Sequence, residues 1–416
     1  MKLSSLPILL LGSSRARALG SELQKPLHAA AAPKISSDTP PPYRDDLVSL
    51  HKSLVEIPSV TEDENEVGSF LVDYLTERGY VVQLEFVPPP TTNSSTNSST
   101  KPRYNVLAWP GPDRHPSPKV LVTSHIDTVP PFIPYSRNGS SLDADTLIAG
   151  RGSVDAKASV AAQIIAVESL RESGRALQDS VVLLYVVGEE TLGDGMRYFS
   201  DTKSQLDPPL DVKAAIFGEP TEGRLVCGHK GIFGCDITVT GRAGHSGYPS
   251  LGKSANEVLM RGLVRVLDTD LGSSDDFGNT TINVGLLSGG VAANVIPEKA
   301  TARIAGRVAI GPEADGGQVV AERLKEVLRA VDEEAFAFDC KYGYGVIQCD
   351  CDVDGFETTT VNYGTDVHNL EGNHTRYLYG PGTIFVAHGP DEAVKLGDLE
   401  EAVEGYKKLI LHALES

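Results

Sequence analysis

The chain of 416 residues has no uninterrupted apolar run of the length a transmembrane helix needs. It is also short of positive charge. Its 37 Lys and Arg stand against 56 Asp and Glu, for a formal net charge of −19. Long-range repulsion slows encounters with polyanions, so neither nucleic acid nor an anionic membrane is expected as a partner. The same charge favours solubility and is compatible with binding cations. Cysteine is sparse. Cys227, Cys235, Cys340, Cys349 and Cys351 fit no zinc-finger spacing, and Cys349 and Cys351 are too close for a CxxC redox pair. An odd count leaves at least one thiol unpaired within a monomer. One or two disulfides are expected if the chain is secreted, but the spacing does not give their pairing.

What is present begins with Lys2, a short apolar stretch (LSSLPILLLG) and small residues at Ala16, Ala18 and Gly20. Residues 1–20 read as a signal peptide and 21–43, rich in Ala, Pro and Ser, as a linker or pro-segment. Sequons stand at Asn93, Asn97, Asn138, Asn279 and Asn373. Twelve Asn in this composition would give roughly two by chance. Together these signals predict a secreted glycoprotein, each used sequon lying at the surface.

From residue 44 on, helical and strand patterns alternate, and several strands are apolar throughout, such as VVLLYVV at 181–187. That predicts an α/β sheet covered on both faces. Residues 44–227 read as the first part of a catalytic domain. Residues 228–335 read as an inserted α+β domain, and with FAFDCKYGYGVI after them as a last strand the order is β-α-β-β-α-β, the ferredoxin-like pattern. Residues 336–416 return to the first domain.

Candidate ligands sit where these strands end. His125 and Asp127 close VLVTSHID, and Asp155 lies in the Gly-rich turn GRGSVDAKAS. Glu189 and Glu190 follow Gly188, Glu219 lies in GEPT, and His388 lies in a Gly/Pro-bracketed loop. In open α/β sheets, ligands bind at the carboxyl ends of the strands, where these positions can converge. Taken singly, each has a plain alternative: a helix cap for Asp155, a helix start for Glu190, a turn residue for Glu219. Alternation alone leaves open which of Glu189 and Glu190 would bind a metal.

HIDTVP, GRGSVDAKAS, VVGEETLGDGM, GEPT with HKG, GHSGYP and AHGPDE occur in one order over more than about 250 residues. That order and spacing resemble the M20 metallopeptidases, a co-catalytic zinc family that includes carboxypeptidases, acetylornithine deacetylase and succinyl-diaminopimelate desuccinylase. GEPT and GPGT…AHGPDE look most like the acetylornithine deacetylase and secreted fungal carboxypeptidase branch. The resemblance implies a co-catalytic zinc exopeptidase-type α/β domain, interrupted by a ferredoxin-like lid through which a homodimer can form. It implies two zinc ions per subunit. Asp155 would bridge them, His125 and Glu219 would complete one site, and Glu190 and His388 the other. Glu189 would be the general base and Asp127 the partner of His125. His245, in GHSGYP, would stabilise the oxyanion, and Asn294 would contact substrate or oxyanion. Such donors suit zinc, and a site left open to water is catalytic rather than structural.

Two departures stand out. Ala156 and Ala158 flank Lys157 where relatives often differ, and GTDVHN (364–369) lacks a frequent arginine, which leaves the substrate carboxylate without an evident anchor. The expected activity is a secreted carboxypeptidase acting on small peptides. An N-acyl-amino-acid deacylase uses the same bond chemistry and is the alternative. A catalytically inactive binding protein on the same scaffold is a third reading, opposed by the intact Glu189 and ligand set. Lys157 is expected in a structural ion pair.

Overall fold

In the computed structural model, residues 39–89, 101–111, 118–139, 141–174, 180–206 and 209–415 are described, Tyr342 by its backbone alone. The expected signal peptide, most of the 21–43 linker, and Asn93 and Asn97 lie outside them. Asn138, Asn279 and Asn373 are exposed.

Alternation of side chains explains the apolar strands. The first part of the catalytic domain contributes β1 (Tyr80–Val87), β2 (Arg103–Pro110), β3 (Val120–His125), β4 (Val181–Val186) and β5 (Ala214–Gly218). Its helices are α1 (Arg44–Glu56), α2 (Asn65–Glu77), α3 (Lys157–Glu172) and α4 (Asp194–Thr202). On β4, Val181, Leu183 and Tyr185 enter one core while Val182, Leu184 and Val186 enter another on the opposite face. Each such side chain, taken fully out of water, contributes about 1.5–3 kcal/mol. A strand buried on both faces has no use for polar alternation, hence the continuous apolar run.

After β6 (Leu225–His229) the chain enters the lid, built from β7 (Gly231–Thr240), α5 (Ala255–Leu267), β8 (Thr281–Gly289), β9 (Lys299–Val308), α6 (Gly316–Arg329) and β10 (Phe336–Tyr344). Its antiparallel sheet runs β8-β9-β7-β10, and both helices pack on one face over a separate core, the ferredoxin-like arrangement. Strand β10 pairs with β7 along most of its length, so the lid continues past the boundary expected at residue 335. That pairing spans about a hundred residues of chain, which a local pattern does not show.

The chain returns with β11 (Thr375–Tyr379) and α7 (Leu396–Glu415). The main sheet is ordered β1-β2-β4-β3-β5-β11, with β4, β3, β5 and β11 mutually parallel and β2 antiparallel to its neighbours. Helices α1, α3 and α7 pack together on one face. The register brings His125 beside Val186, and Gly218 beside Tyr379. The carboxyl ends of four parallel strands therefore share one edge. Disulfides join Cys227 to Cys351 and, across the paired strands β7 and β10, Cys235 to Cys340, while Cys349 stays free.

Candidate metal centre

That edge carries the candidate ligands. His125 is the last residue of β3, Glu219 follows β5 directly, and Glu189 and Glu190 follow β4 after a turn at Gly188. Gly188 has φ +75°, and a Cβ there would collide with the Asp194 carboxylate and come within 2.7 Å of Arg103 Nη2, so only glycine fits. The N–H groups of Glu189 and Glu190 both donate to the Asp127 carboxylate, at 3.1 and 3.2 Å. Thr61 Oγ1 donates to the same carboxylate at 2.8 Å. Adjacent side chains then diverge from an anchored backbone.

Two clusters result, each with donor atoms within 4.8 Å of one another. One is His125, Asp155 and Glu219; the other is Asp155, Glu190 and His388. Asp155 belongs to both. Its Oδ1 lies 3.1 Å from His125 Nε2 and its Oδ2 lies 3.1 Å from His388 Nε2. Glu190 Oε2 is 2.9 Å from His388 Nε2, and Glu219 Oε2 is 3.9 Å from His125 Nε2. Glu189 joins neither cluster. The far nitrogen of His125, Nδ1, lies 3.0 Å from the Asp127 carbonyl and 3.5 Å from its carboxylate Oδ1. The backbone oxygen is thus the nearer partner of the ring, and Nδ1–H donation to it leaves Nε2 free for a metal.

The electrostatics are those of a site built around cations. Burial pushes the Glu189 carboxyl well above its usual range, and nearby Glu219 pushes it further. Glu219 is raised in the same direction, chiefly by burial. Burial acts on Asp155 too, but hydrogen bonds from His125 and His388 outweigh it and hold it below the carboxylate range. Hydrogen bonds to Asp155 and Glu190 push His388 up to about 10. Among the described residues, the buried Glu190 Oε1 has no hydrogen-bond partner. Carboxylates crowded with imidazoles, one oxygen left without a donor, fit divalent metal ions, which would replace the protons the site otherwise holds.

Comparison with known proteins gives the family. A family model described as a peptidase dimerisation domain matches residues 227–337, and one for peptidase family M28 matches residues 105–216. A peptidase M20 domain-containing protein of Sordaria macrospora is 52% identical over 93% of this chain and 89% of its own. The chain belongs to the M20 peptidase family. It is therefore an enzyme, a hydrolase of the metallopeptidase kind. An Aspergillus oryzae protein named "Probable carboxypeptidase" is 46% identical over 88% of this chain and 87% of its own. Among solved structures, a Staphylococcus aureus tripeptidase covers 90% of the chain and 99% of its own, at 18% identity and TM-score 0.72. A Bacillus subtilis M20 peptidase described as dinuclear metal binding covers 90% and 99%, at 16% and 0.61. These structures share the M20 fold, catalytic domain plus lid.

Two expected site residues lie elsewhere in this M20 chain. His245 and Asn294 are exposed and neighbour each other on the lid, where Ser246 N donates to the Asn294 carbonyl at 3.1 Å. Gly247 N donates to His245 Nδ1 at 3.0 Å, so a neutral ring carries its proton on Nε2 and offers a donor outward. Among the described residues, His245 shares no cluster with the candidate ligands.

Among the described residues, Lys157 has no ion-pair partner. Its fully buried ammonium donates to the carbonyls of Leu54 and Ile57, both at 2.8 Å, because the surrounding turn presents backbone oxygens instead of a carboxylate. Asp366, in GTDVHN, escaped sequence reasoning. It is buried, its Oδ2 has no hydrogen-bond partner among the described residues, and burial pushes it up to about 6. Arg307 of β9 escaped it too. Arg307 and Tyr344 both pair with Ile232 across the lid sheet, and the Arg307 guanidinium comes within 3.7 Å of where a Cβ on Gly364 would sit. No sequence signal pointed to Arg307, since only the sheet register brings it against GTDVHN.

Proposed function

We propose that the chain is a secreted carboxypeptidase that uses two zinc ions to remove C-terminal residues from short peptides. The observation that carries the reading is the pair of ligand clusters sharing Asp155, with the half-buried Glu189 next in sequence to Glu190 and outside both. His125, Asp155 and Glu219 would hold one ion, Asp155, Glu190 and His388 the other. When bound, the pair supplies Lewis acidity that acidifies water and polarises a carbonyl. Glu189, its proton affinity raised, accepts a proton from the attacking water and returns it to the departing amine. The Arg307 guanidinium, which among the described residues has no ion pair, would hold the substrate carboxylate that GTDVHN has no arginine to bind.

The relatives named as carboxypeptidases favour peptides over N-acyl amino acids. Two disulfides and three exposed sequons are in keeping with secretion and glycosylation. His245 and Asn294 would act in a partner subunit's site, His245 donating its Nε2–H to the developing oxyanion. The exposed stripe Met260, Val264 and Leu267 on α5, with Leu286 and Leu287 on edge strand β8, offers the apolar surface for such a homodimer.

A hydrolysis screen tests the reading. Short peptides with free C-termini should be cleaved, their C-terminal amides should not, and a chelator should stop the reaction. Cleavage of N-acyl amino acids alone would replace the carboxypeptidase with the deacylase. No hydrolysis of either would leave an inactive scaffold. Sedimentation at micromolar concentration tests the dimer, and a monomer that retains full activity would remove His245 from the mechanism.

A further inference from the structure

Behind the ligands lies a buried ion pair that the reaction does not use. Glu392 is 1% exposed and Arg151 2%. Glu392 Oε1 accepts the N–H groups of Gly152 at 3.0 Å, Val154 at 3.0 Å and Asp155 at 3.2 Å. Its Oε2 accepts from Arg151 Nη1. The same guanidinium reaches the other way, donating to the carbonyls of His388 at 3.2 Å and Gly389 at 3.3 Å. One ion pair therefore grips both the turn that carries Asp155 and the loop that carries His388, elements that arrive from opposite ends of the chain.

The His388 loop needs such a grip. His388 has φ +63°, a left-handed conformation that residues with a Cβ disfavour, and its side chain is 51% exposed. Little packing fixes the imidazole from outside, so its place beside Asp155 and Glu190 depends on its backbone. Arg151 holds that backbone by its carbonyls. Glu392 in turn fixes Arg151 and sets the height of Asp155 through its N–H.

We propose that Arg151 and Glu392 are positioning residues that set the separation of the two halves of the metal centre, and hence the affinity of the half completed by His388. The proposal rests on the two-zinc reading above. It predicts asymmetry. The half formed by His125 and Glu219 stands on strand ends and meets the pair only through the shared Asp155, whereas the half completed by His388 depends on it at two ligands, Asp155 and His388.

The test uses the double variant Arg151→Met/Glu392→Gln. The glutamine oxygen can still accept the three N–H groups, no buried charge is left alone, and the hold on the His388 carbonyl is lost. Zinc affinity is read by chelator competition on the full chain, and melting is measured on the metal-free protein. One of two zinc ions should bind about 10- to 100-fold more weakly and the other as in the parent. The kcat should fall in step and recover with added zinc, with KM within about twofold of the parent. Equal affinities in variant and parent would overturn the proposal, as would a lower melting temperature of the metal-free protein with both affinities intact. If the double variant does not fold, Arg151→Lys, which keeps a positive charge beside Glu392 but lacks the fork that reaches the His388 carbonyl, is read on the same scale. A parent that binds one zinc at most would sink the two-zinc reading itself, a result separable from any behaviour of the variants.

Discussion

Asp127→Asn is the sharpest substitution near the reacting groups, because asparagine matches aspartate in shape and differs in hydrogen bonding. Asp127 Oδ1 accepts Glu189 N at 3.1 Å and stands 3.5 Å from His125 Nδ1. Its Oδ2 accepts Glu190 N at 3.2 Å and the Thr61 hydroxyl at 2.8 Å. All the backbone partners are donors. An asparagine must turn its amino group toward one of them, whichever way it flips. The Thr61 hydroxyl can rotate to accept, but the N–H of Glu189 or of Glu190 then faces another donor. A buried donor left unpaired costs about 1–3 kcal/mol. If the turn relaxes to escape that cost, both glutamates move. At 1.36 kcal/mol per factor of ten, the expected loss in kcat is roughly 10- to 100-fold. The assay is kcat and KM on a short peptide at saturating zinc, with zinc affinity measured alongside. Loss of the anion beside His125 should weaken zinc by about 10-fold or more. A variant within twofold of the parent in kcat and in zinc affinity would refute the idea that Asp127 organises this turn.

Further outcomes follow from the same geometry. Glu189→Gln should lower kcat by about 10² or more with zinc content unchanged, because Glu189 belongs to neither ligand cluster; loss of zinc would mean that ligand and base are exchanged. Arg307→Ala should raise KM for free C-termini by roughly 10-fold or more, the worth of a charge-assisted hydrogen bond, and leave the basal folding transition in place; an unchanged KM would send the search for the carboxylate anchor elsewhere. His51 and His229 are fully buried, and burial pulls each down to about 4. An unfolded histidine takes its proton near 6.5, so between pH 6.5 and 4 the unfolded chain binds more protons and the fold loses stability as pH falls. Each contributes up to about 3 kcal/mol of that loss, complete below pH 4. His51→Gln should therefore flatten the fall of the urea midpoint over that interval, and slopes identical to the parent's would contradict the assignment.

Much of the centre was legible because its ligands sit at strand ends. His125, Glu190 and Glu219 each follow an apolar run, and a parallel sheet aligns such ends without further information. The α/β class and the ferredoxin-like insert were readable for the same reason, since each element carries its own periodicity. What depends on register or distant approach was not legible. The lid ends after β10 and not at residue 335, because Phe336–Tyr344 pairs with Ile232–Val239, a partner no local pattern names. Lys157 is expected beside a carboxylate, yet the C-terminal end of α1 offers it the carbonyls of Leu54 and Ile57. Arg307, Asp366 and the Arg151–Glu392 pair acquire meaning only from what the fold sets opposite them. The disulfide partners were equally hidden, Cys235 meeting Cys340 because β7 and β10 are in register.

The central claim is that the shared carboxylate of Asp155 joins two catalytic zinc sites. Zinc titration of the metal-free full chain, with the rate of C-terminal residue release followed at each addition, tests it most directly. The account predicts no hydrolysis without metal and a rate that reaches its plateau at two equivalents per chain. A full rate at one equivalent, or hydrolysis that persists in excess chelator, would contradict it.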